Sequence, residues 1–420
     1  MRRAWIVVGL LVLFMLINHA DKSVIAFAGV QIQRDLGLSS QQFGLLQSSF
    51  FWLFAAGALF FGWLSSRVNI RWLLAGLMLL WVATMIPLLG SVSFGVLIAC
   101  RVILGFGEGP AFALANHAAH SWFPPEKRAM AGGFVSAGAS IGTLIAAPVL
   151  TWIIFQWDWH AAFYVLIAMG VLWAVAWLLL GRSSSDNGAA PAPASKVVVE
   201  TIDAPYKTIL QTGTVVGIAV LMFSSYWSTT LKIAWLPVYL QEGLGYDTAT
   251  TGQLMMLPYG LAAIGAISAG WFSGRLISRG VSRRAARGYL SAALVAGAGV
   301  SMAGFTLLQQ GNLQLVMITL AFSLNTAAFG VALSAIADVV QAKKRGMVLG
   351  MLSAVASISG MVAPLVLGFA VGTSVDKITG YAIGFQSSGA LMIVGALIAV
   401  FLVNPERDLT LIRHRVEETA

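Results

Sequence analysis

Five charged side chains lie deep within stretches apolar enough to cross a bilayer: Asp21, Lys22, Arg101, Glu108 and Lys232. Charge at membrane depth is costly unless it faces protein or water, so such groups point by default to a ligand or ion pathway. Arg101 and Glu108 are seven residues, or two helical turns, apart. That spacing puts Arg101, Gly105, Glu108 and Phe112 on one stripe, with the two charges about 10 Å apart along the axis. Asp21 and Lys22 are adjacent, so on one helix they are expected to face different partners. Three basic and two acidic groups give a cavity of formal charge +1. That sign favours an anionic ligand, and the two acids can take up protons. The competing reading of Arg101 and Glu108 is a structural ion pair that locks two helices together.

Lys232 sits in SSYWSTTLKIAWLPVYL, among Tyr226, Trp227, Trp235 and Tyr239 and five residues before Pro237. Two readings fit it. In one, Lys232 and Tyr226 face a ligand cavity; in the other, the aromatics form an interfacial belt and the lysine snorkels outward. His117 and His120 are three apart and could share a metal, but no H-E-x-x-H, cysteine pair or nearby carboxylate supports one, so no metal is expected. The GFGEGP run at Gly105 imitates a nucleotide loop, yet it lies within a span and follows no strand. No ATP-binding motif is present, and no cofactor is expected beyond a proton gradient as driving force.

The elements that must position these groups are membrane helices. The 420 residues are 58% hydrophobic and 10% charged, with mean hydropathy +0.85, which is not a soluble composition. Apolar runs of about 20 residues recur along the chain and mark twelve spans. These are placed near 5–33, 41–65, 71–90, 94–122, 129–156, 159–180, 213–241, 249–276, 287–308, 313–338, 346–371 and 384–403. The run after Arg2 and Arg3 imitates a secretory signal, but the apolar helix continues past Asp21 and Lys22 to about Gln33, so it is read as the first span. Cys100 is the only cysteine, so no intramolecular disulfide exists.

Between the sixth and seventh spans, GRSSSDNGAAPAPASK cannot form a core and reads as a flexible linker. The expected organisation is therefore a six-helix bundle over 1–180, a cytoplasmic linker over 181–212, and a second six-helix bundle with a short tail over 213–420. The halves repeat each other. From Arg128 and Arg345, RAMAGGFVSAGASI and RGMVLGMLSAVASI share eight identities in fourteen positions without gaps. Projected backwards, that register places Glu108 opposite Asn325 and Phe112 opposite Phe329. An inward asparagine can donate and accept hydrogen bonds to a ligand, or simply join two helices. Of 25 lysines and arginines, Arg34 and Lys377 fall on one side, Lys22, Arg101 and Lys232 fall inside spans, and the other 20 fall on the opposite side. Positive-inside bias puts both termini and the linker in the cytoplasm. Gly138 and Gly142 form a G-x-x-x-G pair suited to close helix packing.

The chain resembles the major facilitator superfamily and, within it, the anion:cation symporters, which include bacterial galactonate and hexuronate permeases, vesicular glutamate transporters and sialin. The resemblance covers all twelve spans. It is carried by Asp21-Lys22, by Arg101 and Glu108 as R-x6-E, by Pro110-Ala111-Phe112, by Trp122-Phe123-Pro124, and by the basic pair Lys127-Arg128. It implies an all-α membrane protein of two pseudo-symmetric six-helix bundles that rock about a midplane site. It also implies proton-coupling roles for Asp21 and Glu108, anion-binding or gating roles for Lys22 and Arg101, and a substrate contact for Asn325. Departures are Lys22 where the family usually has arginine, which loses a bidentate clamp, and Ser66 and Asn69 in the loop after the second span. Lys232 has no counterpart matched in the sugar-acid permeases.

A transporter is therefore expected, not an enzyme. It is expected to take up a small organic anion (a sugar acid or other carboxylate) with protons, across the bacterial inner membrane, as a functional monomer that contacts lipid and no nucleic acid. An exchanger or exporter of organic anions with the same fold is the alternative. A membrane enzyme would need a nucleophile with a base or a metal set, and none is visible.

Overall fold

A computed structural model describes residues 2–123, 125–181 and 204–417. Among these, all regular structure is helical, and twelve helices are long and apolar enough to cross a membrane. They run Arg3–Phe27, Ser40–Leu64, Ile70–Leu89, Phe94–His120, Met130–Gln156, Trp159–Leu180, Gly213–Ala234, Thr248–Ser278, Arg284–Leu307, Asn312–Val339, Lys344–Thr373 and Lys377–Leu402, and are numbered span one to span twelve in that order. The count and order agree with the hydropathy reading. Nearly all of the expected linker, together with Pro124 and the side chains of Lys127 and Arg128, lies outside the described residues.

Short polar connections start several helices. Ser39 and Gln42 form a reciprocal capping box at span two, and Ser93 and Asp158 cap spans four and six by accepting from Val96 N and Ala161 N. Asp247 and Asp376 do the same for spans eight and twelve. Hydroxyl and amide donation from Thr250 holds the Asp247 carboxyl below the usual carboxylate range, and the Thr379 amide and hydroxyl do so for Asp376.

Two compact units emerge. The first comprises Met1–Lys196 together with Ile233–Met256, and the second Val197–Lys232 with Leu257–Ala420. The stretch Ile233–Met256 begins within the region where the sequence places the second bundle, yet it packs in the first unit. Gln47 Nε2 donates to Ala234 O at 3.1 Å, Phe43 meets the Trp235 ring edge-on at 5.1 Å, and Gly29 makes room for Val238.

Within the first unit, glycines set how closely helices approach. A Cβ on Gly138 or Gly142 would come within 2.7 Å of the Val12 carbonyl oxygen or the Leu16 Cα, so spans one and five are in backbone contact there. Spans two and four are closer still. A Cβ on Gly105 would overlap the Phe50 carbonyl oxygen, one on Gly109 that of Phe54, and one on Gly57 that of Phe106. The GFGEGP run thus serves helix contact. Buried tryptophans tie the unit laterally, with Trp173 Nε1 donating to Leu10 O at 2.6 Å and Trp177 Nε1 to Arg71 O at 2.9 Å.

In the second unit, the C-terminal helix Pro405–Glu417 closes one end. Asp408, fully buried, accepts from Thr214 N at the start of span seven, and Glu406 accepts from Arg283 N at 2.6 Å. Arg287 pairs with Asp338 beside it. Large apolar side chains such as Leu59, Leu172, Ile267 and Phe401 are at least 70% exposed, as a lipid-facing surface requires.

Candidate functional site

Several of the helices around the buried polar groups are interrupted, although span seven, which carries Lys232, runs unbroken from Gly213 to Ala234. The first-span helix stops at Phe27 and resumes at Gly29, span two is interrupted from Phe50 to Leu53, span four at Gly109-Pro110, and span ten at Phe322-Ser323. Each break frees backbone carbonyls at membrane depth, where they need a polar partner.

In the first unit, Asp21, Arg101 and Glu108 are 1–3% exposed. Lys22 Nζ stands 2.9 Å from Glu108 Oε2, with side-chain exposures of 15% and 0%. Arg101 does not pair with Glu108. Its Nη2 donates to Gln47 Oε1 at 3.3 Å, its Nη1 to Lys22 O at 3.5 Å, and its guanidinium lies 4.8 Å from the Phe50 ring centroid. The competing reading, a structural Arg101–Glu108 pair, is therefore not what forms; Lys22 pairs with Glu108 instead. Two helical turns separate Arg101 from Glu108, and the four-carbon stem of Lys22 reaches Glu108 from the first span. The expected common stripe also ends at Glu108, because the break at Gly109-Pro110 follows; Phe112 is 50% exposed.

Adjacency on one helix predicts that Asp21 and Lys22 face apart, and instead they converge. Asp21 lies within electrostatic reach of Glu108, Lys22 and Arg101, while neither of its oxygens has a well-formed hydrogen bond. Four charges therefore share one largely buried site with formal sum zero, and Phe50 lies under both cations, with Lys22 Nζ 5.8 Å from its centroid.

In the second unit, Lys232 is 3% exposed, so it does not snorkel to the surface. Its ammonium donates to Phe322 O at 2.9 Å, a carbonyl freed by the break in span ten, and to Thr326 Oγ1 at 3.5 Å, and it sits 4.8 Å from the Tyr259 ring centroid. No carboxylate pairs with it among the described residues. Asn325, wholly buried, donates through Nδ2 to Ser225 O at 2.9 Å and Thr229 Oγ1 at 2.8 Å. Since Ser225 O can only accept, the amide orientation is fixed and Oδ1 is the atom left without a partner. Tyr226 is half-buried one turn before Thr230, whose hydroxyl donates to its carbonyl at 2.9 Å.

Sequence reasoning missed Gln47, Phe50 and Tyr259. A glutamine inside an apolar span was a visible signal. The two aromatics were not distinguishable from the other 29 phenylalanines and tyrosines.

These features can be set beside known proteins. The Major Facilitator Superfamily family model matches residues 11–334. The chain belongs to the Major Facilitator Superfamily. It is 28% identical over 417 residues to a probable sulfoacetate transporter of Cupriavidus necator, covering 95% of this chain and 93% of the relative. It is 27% identical over 395 residues to a hexuronate transporter of Bacillus subtilis, covering 93% and 92%. Among solved structures, a bacterial homolog of the human lysosomal transporter Spinster superposes with TM-score 0.79 at 19% identity, covering 98% of both chains, which supports the fold. As a Major Facilitator protein with twelve membrane helices, this is a multi-pass membrane transporter and not an enzyme.

Proposed function

We propose that the protein takes up a small organic anion, a sugar acid or another carboxylate, together with protons by alternating access. The observation that carries this reading is the largely buried cluster of Asp21, Lys22, Arg101 and Glu108. With all four ionised it sums to zero; protonation of one acid makes it +1, and of both, +2. An anion then meets a cationic site only when protons are bound, and loss of the protons weakens its hold. This couples the two fluxes without a cofactor. Lys22 is the moving part: while Glu108 is ionised it holds the lysine, and neutralising Glu108 frees the ammonium for a carboxylate. Arg101, held by Gln47 and Phe50, keeps a fixed orientation. Asn325, Lys232 and Tyr226 are the candidate anion contacts within the second unit.

Similarity to sulfoacetate and hexuronate transporters supports an organic anion as cargo. The distribution of basic residues supports a bacterial inner-membrane location with both termini cytoplasmic. A monomer suffices for this cycle. The test is a screen of sugar acids, aromatic carboxylates and small dicarboxylates with purified protein in liposomes, reading proton uptake on anion addition. Anion flux with no proton movement would favour an exchanger or exporter instead.

A further inference from the structure

Three polar atoms near the break in span ten are buried without partners: Tyr259 Oη, Ser225 Oγ and Asn325 Oδ1. They are contiguous. Ser225 O holds the Asn325 amide, Asn325 adjoins Thr326, Thr326 accepts from Lys232, and Lys232 lies over the Tyr259 ring. Pro258, just before Tyr259, accepts from Ser323 Oγ at 3.0 Å, which fixes this part of span eight against the break. An unpaired buried hydroxyl is destabilising, and an ammonium without a carboxylate more so, so one such group is tolerable and a cluster demands a reason.

We propose that Tyr259 is a ligand-binding residue, forming with Lys232 a two-donor clamp for a single anionic headgroup of the cargo. The inference rests on the organic-anion reading above and adds to it the group that this half of the protein grips. Lys232 supplies a buried positive charge that no carboxylate balances among the described residues. Its ammonium lies 4.8 Å from the Tyr259 ring centroid, and the Tyr259 hydroxyl, free of any protein acceptor, is the second donor to the headgroup. The lysine's bonds to Phe322 O and Thr326 aim the ammonium, and they leave the charge itself unneutralised. The headgroup is thus a monoanionic carboxylate or sulfonate, matched to one charge and two donors.

The test uses purified full-length protein with D-galactonate, D-glucuronate and sulfoacetate as probes, measuring affinity by calorimetry and the ligand-free melting temperature in parallel. Tyr259→Phe should weaken the best-bound probe about tenfold or more, the loss of one charged hydrogen bond. Its ligand-free melting temperature should stay the same or rise, because the deleted hydroxyl has no protein partner. A hydroxyl with a structural job gives the opposite sign. Lys232→Met should weaken the same probe, and the double variant should be weakened by less than the sum. Unchanged affinity in Tyr259→Phe, or a lowered melting temperature without ligand, overturns the clamp while leaving the transport reading intact. Failure of the unmodified protein to bind these three probes and every aromatic carboxylate and small dicarboxylate of the screen above overturns both.

Discussion

Lys22 and Glu108 form a buried ion pair whose two ends differ in exposure, and removing one end should not equal removing the other. In Lys22→Met, Glu108 at 0% side-chain exposure and the adjacent Asp21 are left with Arg101, which is already committed to Gln47 and Phe50. An uncompensated buried charge of this kind costs about 3–5 kcal/mol. In Glu108→Gln, Lys22 loses its charged partner, but Asp21 remains close and the 15%-exposed ammonium can reach water. The loss should be that of a charged hydrogen bond, about 1.5–3 kcal/mol. Removing both partners together leaves no charge stranded by the other's loss, and the double variant should recover to within about 1–2 kcal/mol of the unmodified protein. Reversible unfolding in mixed micelles by denaturing detergent measures all four proteins. If Lys22→Met is no less stable than Glu108→Gln, or if the two effects simply add, the pair is not the closed, mutually dependent contact described above.

Three further predictions concern other parts of the molecule. Lys232→Gln should weaken anion binding about tenfold or more while preserving the fold, since glutamine can still donate to Phe322 O; equal affinity by calorimetry would remove Lys232 from the binding site. Gly105→Ala places a methyl group on the Phe50 carbonyl and must push spans two and four apart, at about 1–3 kcal/mol; an unshifted melting temperature would show that this contact is looser than described. A reporter fused after Ala420, or inserted near Ala190, should read cytoplasmic, and a periplasmic signal at either place would reverse the assigned orientation.

The architecture was legible in the sequence because a bilayer forces it. Apolar runs of spanning length depend on composition summed over about 20 residues, and no tertiary contact overrides them. The residues of the candidate site were also visible, since an ionisable group at membrane depth stands out by itself. Their partners were not. Helical periodicity put Glu108 on Arg101's stripe, but Lys22 arrives from another helix, and only the packing of span one beside span four brings it within 2.9 Å. The glycines that set the closeness of spans two and four read as a nucleotide loop or as nothing, because a glycine's meaning lies in the backbone opposite. Lys232 was ambiguous for a similar reason. Its carbonyl partner exists only because span ten breaks at Phe322-Ser323, and neither residue type announces a break.

The central claim is that Glu108 ties anion movement to protons, and one measurement tests it directly. Purified protein and its Glu108→Gln variant are reconstituted in liposomes, and uptake of a bound organic anion is followed with the interior more alkaline than the exterior. The unmodified protein should accumulate the anion above its external concentration. Glu108→Gln should exchange internal for external anion with no accumulation, because Lys22 is released and the proton site is gone. Accumulation by Glu108→Gln equal to that of the unmodified protein, driven by the same pH difference, would contradict the coupling role of Glu108.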